Sequence, residues 1–467
     1  MKRSHSKATK NHDKTTGQDA PRIVNPDAAG IDIGATEIYV AVRGDRDPHP
    51  VRHFPTFTQD LHRIADWLIA CKVTTAAMES TGVYWLGLYQ VLESKGIKVH
   101  LVNAKHAKNV PGRKTDVEDC QWLHTLHTYG LLRGSFRPEA EVCAVRSIYR
   151  HRAQLIESAS CYVQHMQKAL TQMNIQIHHV LSDLTGVSGL AILDKIIAGE
   201  RDPVVLARLR NRRVAADKQT VEKSLVGDWK DEHLFTLKQS LESYRFFQGK
   251  IDECDKELHD LASKLESNAS IELPKDQEVG LKRKKRVPDP QVTGVSWEKE
   301  LYRIFGVNIM AVPGISMATG LAFVSEVGAN LSAFKNGHHF ASWLRLSPAN
   351  KISGGHILSS QTPKHKPRLS IALRMAAQSL FRCKCALGDQ FRRMRAKLGA
   401  PKAITAMAHK LARILYVMIT KREEYSGTII NDNEAKRLRQ KESWLRKQAA
   451  ALGMTLVPNQ QLANSVT

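Results

Sequence analysis

Ala29-Gly30-Ile31-Asp32-Ile33-Gly34-Ala35-Thr36-Glu37-Ile38-Tyr39-Val40-Ala41-Val42 is the stretch on which the fold turns. Residues 29–33 and 37–42 are β-rich runs, and Gly34-Ala35-Thr36 between them reads as a turn joining two short strands. Asp32 stands between Ile31 and Ile33. A charge inside an apolar strand is costly unless it is paired or holds a cation, so this position asks for a chemical reason. Working outward, a third strand is expected at 51–57 and helical spacing runs from Leu61 to Cys71. A short apolar run over 74–78 ends at Glu79, a helix over 83–94 is stopped by Gly96, and another strand covers 97–102. Strands interleaved with helices mean an α/β domain, assigned to 28–135 behind a basic, aperiodic and disordered tail at 1–27.

From about residue 140 the pattern changes to long helices. Val145, Ile148, Leu155, Ala159, Tyr162, Met166, Ala169 and Met173 keep a 3-4 spacing that Arg152 interrupts. A second such run extends from Leu234 to Leu265, with slips near Gln248. Together they suggest an antiparallel helical hairpin or coiled coil in a region spanning 136–299. Residues 180–230 give no clear pattern. Residues 267–298 form a Pro-containing basic linker, with Lys282 and Arg283 as candidate phosphate contacts or simply a solvated charge run. A mainly α C-terminal domain is assigned to 300–425, and a basic helical tail to 426–467.

The chain has 467 residues, enough for two or three domains, and its hydrophobic fraction of 42% supports ordinary cores. Lys and Arg outnumber Asp and Glu by 69 to 46, a net charge of +23, which favours a polyphosphate partner over a charge serving only solubility. No membrane partner is expected: no stretch approaches a span of ~20 apolar residues, and the polar start has no secretory signal. Seven cysteines at irregular spacing imply no disulfide framework, and Cys383-Lys384-Cys385 lacks a second pair for zinc.

Four acidic residues carry the chemistry. Asp32 lies in a strand, Glu79 ends another, and Asp116 and Asp119 share one face at the start of a helix in Lys114-Thr115-Asp116-Val117-Glu118-Asp119. Such a set suits Mg²⁺, a hard cation that prefers oxygen ligands. Plainer readings exist: Asp116 as a helix cap, and Glu79 as the cap of the helix after it. The string Asp32-Ile33-Gly34-Ala35-Thr36 also looks like the phosphate loop of the actin and sugar-kinase superfamily, although no second Asp-x-Gly loop follows. Further on, Val312-Pro313-Gly314-Ile315 before an apolar helix resembles a helix-hairpin-helix turn or a plain helical turn. Ser353-Gly354-Gly355, after Leu346-Ser347-Pro348, reads from spacing as a loop where backbone can approach a ligand. Lys364, Lys366 and Arg368 follow and could neutralise phosphate.

Taken in order, these motifs resemble the DEDD-type insertion-sequence transposases, a group related to the Piv DNA invertases. The resemblance implies an RNase-H-like, RuvC-like N-terminal domain with Asp32, Glu79, Asp116 and Asp119 as its metal-binding tetrad. It further implies a coiled coil leading to a C-terminal transposase domain in which Ser353 is the nucleophile that becomes joined to DNA. Mg²⁺ is the implied metal, with Mn²⁺ able to substitute. The implied partners are donor and target DNA, a non-coding bridge RNA as guide, and further copies of the chain in a dimer or tetramer, in the bacterial cytoplasm near the nucleoid. The competing readings are a Holliday-junction-resolvase-like metal nuclease without a covalent intermediate, a non-catalytic nucleic-acid-binding protein, and a kinase-like ATPase.

Overall fold

A computed structural model describes residues 22–80, 82–102, 115–270, 296–363, 366–426 and 442–455. The residues before 22, most of the basic linker with Lys282 and Arg283, Lys364, and much of the tail after 426 lie outside the described residues. Contacts divide the chain into two units, Met1–Arg137 and Pro138–Thr467.

The first unit is built on strands β1 (Ala28–Ile33), β2 (Glu37–Val42), β3 (Val51–Pro55), β4 (Thr75–Glu79) and β5 (Lys98–Val102). Helices α1 (Thr58–Ala70), α2 (Trp85–Ser94) and α3 (Asp116–Thr128) complete it. The sheet order is β3-β2-β1-β4-β5. The β1–β2 and β2–β3 pairs are antiparallel, whereas β4 lies parallel to both β1 and β5. This is the mixed sheet that hairpins followed by α-helical crossovers produce. Side chains alternate between sheet faces, so each face has its own covering. One face sends Ile31, Ile33, Val40, Ala76 and Met78 into a core with Ile64 and Leu68 of α1 and Leu88 and Leu92 of α2. Burying each of the larger of these contributes about 1.5–3 kcal/mol.

The other face is covered by α3, which lies very close to β1. A Cβ placed on Gly30 would stand 2.2 Å from both the Cys120 carbonyl oxygen and the His124 amide nitrogen. Glycine is what lets the helix backbone rest on the strand. The expected third strand is real but stops at Pro55.

In the second unit, α4 (Ala140–Gln172) and α6 (Asp231–Ser263) run antiparallel: Arg152 meets Asp255, and further along Tyr162 stacks on Phe247. Arg152 interrupts the apolar spacing because it forms an ion pair in the seam, where both partners are at least 95% buried. Such a pair fixes the register of two helices, since losing one partner strands a charge at a cost of about 3–5 kcal/mol. Residues 180–230, unplaced by sequence pattern, follow a four-residue helix at Ile177–Val180 and hold α5 (Val187–Ile197) and two shorter helices, Pro203–Ala207 and Lys218–Ser224. They close one end of the hairpin through a core of Leu193, Ile196, Leu206, Val221 and Leu225 against Met166, Leu170, Leu237 and Leu241.

The rest of this unit holds α7 (Trp297–Phe305), α8 (Met317–Glu326), α9 (Gly337–Trp343), a two-stranded hairpin of β6 (Lys351–Ser353) and β7 (His356–Ser359), α10 (Arg368–Ser379), α11 (Ala386–Leu398) and α12 (Ala400–Lys421). Phe305, Phe323, Phe334, Phe340 and Trp343 form a chain of ring contacts at its centre. Buried Glu326 of α8 takes two guanidinium bonds from Arg150 of α4, at 2.7 and 3.0 Å, and Arg146 donates to the Glu326 carbonyl at 2.6 Å. Among the described residues one helix, α12, is long and apolar enough to cross a membrane by length and composition alone. Its Met407, Leu411, Leu415 and Met418 are buried inside the unit, as in a core helix.

Candidate functional site

The carboxylates of the first unit converge through strand register. Ile31 pairs with Met78 across β1 and β4, and both enter the α1–α2 core. One residue further along each parallel strand, Asp32 and Glu79 therefore stand side by side on the opposite face, the one beneath α3. Glu79 is buried and Asp32 partly so. Just past Glu79, Ser80 donates through its N–H and its Oγ to the Val102 carbonyl, at 3.0 and 3.1 Å, which pins this strand end to β5.

The start of α3 lies over the same face. Its buried stripe of Cys120, Leu123 and His127 leads back, at helical spacing, to Asp119 and Asp116. Asp119 is half-buried and Asp116 exposed. The helix is capped by Thr115, whose hydroxyl accepts from the Glu118 amide at 3.3 Å, so Asp116 is not the cap. Tyr84 holds the N-cap of α2, without a side-chain bond, so Glu79 does not cap that helix either. Both plain structural readings of these acids are thereby removed.

Electrostatics link β1, β2 and the start of α3. Burial, then the nearby Asp32 carboxylate, with a smaller contribution from Asp119, pushes the Cys120 thiol up to about 12. Tyr39, the cross-strand neighbour of Asp32, has its phenol raised first by its hydrogen bond to Glu37 and further by Asp116 and Cys120. Behind the carboxylates the face is lined by histidines. His127 Nε2 lies 2.9 Å from the Thr75 hydroxyl, and its ring is 4.8 Å from that of His100. Burial, reinforced by His100 and His124, pushes the His127 imidazole down to about 4, so it is neutral at physiological pH.

The donor set is all oxygen and suits a hard divalent cation. Its spacing is open: among the described residues no group of three His, Cys, Asp or Glu side chains is placed to hold a metal ion. Asp32 and Glu79 on the sheet, and Asp116 and Asp119 at the start of α3 over it, form no closed coordination shell.

Ser353 ends β6 in the second unit. Gly354 and Gly355, at φ +54° and +79°, make the two-residue turn to β7. Positive φ at both positions is the hairpin turn that glycine favours, so the expected loop is in fact a short antiparallel ribbon. Residues 351–358 of this ribbon are exposed, Ser353 included. His356 pairs directly with Ser353 across the turn, a neighbour that sequence spacing did not single out. The strand signal was available in the alternation of Lys351-Ile352-Ser353 and His356-Ile357-Leu358 around two glycines. Lys366 and Arg368 are exposed at the start of α10.

The Pro313-Gly314 turn packs against α10, where Gly314 at φ +90° leaves 2.7 Å between a notional Cβ and the Ala376 carbonyl oxygen. The adjoining α8 is capped by Ser316. Cys385 caps α11 through its sulfur, and all seven cysteines are free thiols.

Two family matches span these regions. Residues 29–175 match the transposase family of the DEDD IS110 type, and residues 307–392 match the transposase family IS116/IS110/IS902. No curated protein matches the chain. The DEDD transposase domain implies an RNase-H-like α/β fold, with which the five-stranded mixed sheet agrees, and proteins with such domains typically use divalent metals.

Proposed function

From its two IS110-family transposase domains, which make this chain a DNA transposase enzyme, we propose that it cuts and rejoins DNA through a covalent serine intermediate. The observation that carries the reading is the Ile31–Met78 register of adjacent parallel strands, which sets Asp32 and Glu79, one residue further along each, on the face beneath the helix that bears Asp116 and Asp119. The kinase-like alternative has no support from the family matches.

Asp32, Glu79, Asp116 and Asp119 would hold Mg²⁺, with Mn²⁺ as a substitute. Bound there, the ion supplies Lewis acidity to a scissile phosphate. Ser353 Oγ attacks phosphorus: an Oγ–P bond forms, a P–O bond of the DNA strand breaks, and the displaced DNA oxygen takes up a proton. The serine proton passes to a base, a role that His356, the cross-strand partner of Ser353, would serve. The phosphoserine diester conserves the bond energy, so a second strand's hydroxyl can reverse the step and join to the phosphate. Lys366 and Arg368, together with Lys364, Lys282 and Arg283, would neutralise DNA or RNA phosphates. A non-coding RNA that pairs with donor and target DNA supplies sequence choice, and the working form is an oligomer of the chain.

Strand exchange between two duplexes, with RNA transcribed from the DNA flanking the gene supplied or withheld, tests this reading. Exchange is expected only with Mg²⁺ and RNA together. Exchange in EDTA removes the metal assignment, and exchange without RNA removes the guide.

A further inference from the structure

A groove of about 1380 Å³ opens in the second unit between the Pro313-Gly314 turn and the helices α10, α11 and α12. It is larger than the roughly 300–1,000 Å³ of ordinary small-molecule sites. Its lining includes Arg382, Lys384 and Arg395, and none of the described residues lining it is a carboxylate. The Arg395 guanidinium lies 4.4 Å from the centroid of the Phe381 ring, which is 43% exposed at the lip. The backbone that carries Phe381 is held in place: Arg392 donates to the Phe381 and Cys383 carbonyls at 2.9 Å each. The one acid close by in sequence, Asp389, is engaged with Arg392.

We infer that this groove binds single-stranded DNA. An exposed ring backed by an arginine offers a flat, cationic surface on which an unpaired base stacks, whatever its identity. Cations spaced along an open groove match the repeating charge of a phosphate backbone. A duplex keeps its bases stacked inside and cannot use the Phe381 platform. The choice of DNA over RNA rests on the transposase reading, because rejoining requires strands that leave their duplex; the groove lies within the same unit as Ser353.

The test uses the full-length chain and fluorescence anisotropy with labelled oligothymidine of about 15 nucleotides, a length within the usual site range. The corresponding duplex, oligouridine and polyglutamate are run beside it. Phe381→Ala should weaken oligothymidine binding about tenfold and leave duplex binding unchanged, and Phe381→Trp should restore it. Arg382→Ala with Lys384→Ala should lower the slope of log affinity against log salt by about 1.4, two phosphates at roughly 0.7 each. Unchanged oligothymidine binding in Phe381→Ala, equal losses for duplex, a preference for oligouridine, or displacement by polyglutamate overturns the assignment. Strand exchange is measured on the same preparations. Exchange by wild type with normal binding by Phe381→Ala sinks the groove alone. Selective binding loss without any exchange by wild type sinks the transposase mechanism and leaves the groove standing.

Discussion

The face beneath α3 and the β6–β7 hairpin hold the proposed chemistry in opposite ways. Asp32 and Glu79 sit on strands locked by register on both sides, with a helix backbone resting on Gly30 and a core behind them. Ser353 sits on a nine-residue ribbon with Ile352, Ile357 and Leu358 each more than 60% exposed. Carboxylates must stand at fixed separations to share a cation, which calls for rigid elements beneath them. A nucleophile has to reach a phosphate, and two glycines whose notional Cβ atoms meet nothing within 4 Å leave room for one. The proposed metal ligands are thus set in place by the fold, whereas the serine is presented by it.

Removal of chemistry from the rigid face should give the largest effect. Asp32→Asn keeps the shape of the side chain and removes its charge. Cleavage is expected to fall on the order of a thousandfold or more, with nucleic-acid affinity preserved in a filter-binding assay. Residual cleavage within about tenfold of wild type would mean that the sheet face is not where the chemistry occurs.

The next effect is on stability and belongs to the sheet face alone. His127 is neutral in the folded protein, with its pKa near 4, whereas the unfolded chain takes up that proton near 6.5. The folded-state value is lowered, so this stability is complete above about pH 6.5 and drains away as pH falls towards 4, by up to about 3 kcal/mol. Hydrogen exchange in β1 and α3 should quicken across this window, and His127→Asn should flatten the dependence. Protection that stays constant from pH 7 to 4.5 would contradict the burial argument.

A single substitution made in both regions sharpens the contrast. Gly30→Ala forces α3 off β1 and should cost about 1–3 kcal/mol or more, with loss of cleavage. Gly354→Ala meets no neighbour and pays only for its left-handed turn, about 1 kcal/mol, which Gly354→Asn should largely recover. Chemical denaturation of the two variants provides the comparison. Equal losses would erase the distinction between a packed face and a presented turn.

These regions were also unequally legible. Asp32 and Glu79 stood out because charges at or beside apolar strand positions are costly, and Asp116 and Asp119 because i, i+3 spacing shares a face. Sequence could not show that Asp32 and Glu79 share a side, since that depends on the pairing of Ile31 with Met78, a contact across 47 residues. Gly30 was visible as part of a motif, but its reason lay in where α3 comes down. Arg152 was noticed as a break in a seam; Asp255, its partner, was hidden because a pattern of apolar residues has no place for a buried charge pair. Residues 180–230 resisted because helices of five to eleven residues are too short to establish a period. Ser353 owed its selection to family resemblance, since an exposed serine carries no burial signal.

The most direct test of the account is the covalent bond itself. Full-length protein is incubated with cleavable DNA and Mg²⁺, denatured, digested, and the DNA-linked peptide mapped by mass spectrometry, for wild type and Ser353→Ala side by side. A phosphodiester on Ser353 is expected in wild type, and neither adduct nor strand exchange in Ser353→Ala, whose fold and DNA affinity persist because an exposed hydroxyl contributes at most about 1–2 kcal/mol. Cutting by Ser353→Ala at the wild-type rate, with no adduct in either protein, would make water the nucleophile and contradict it.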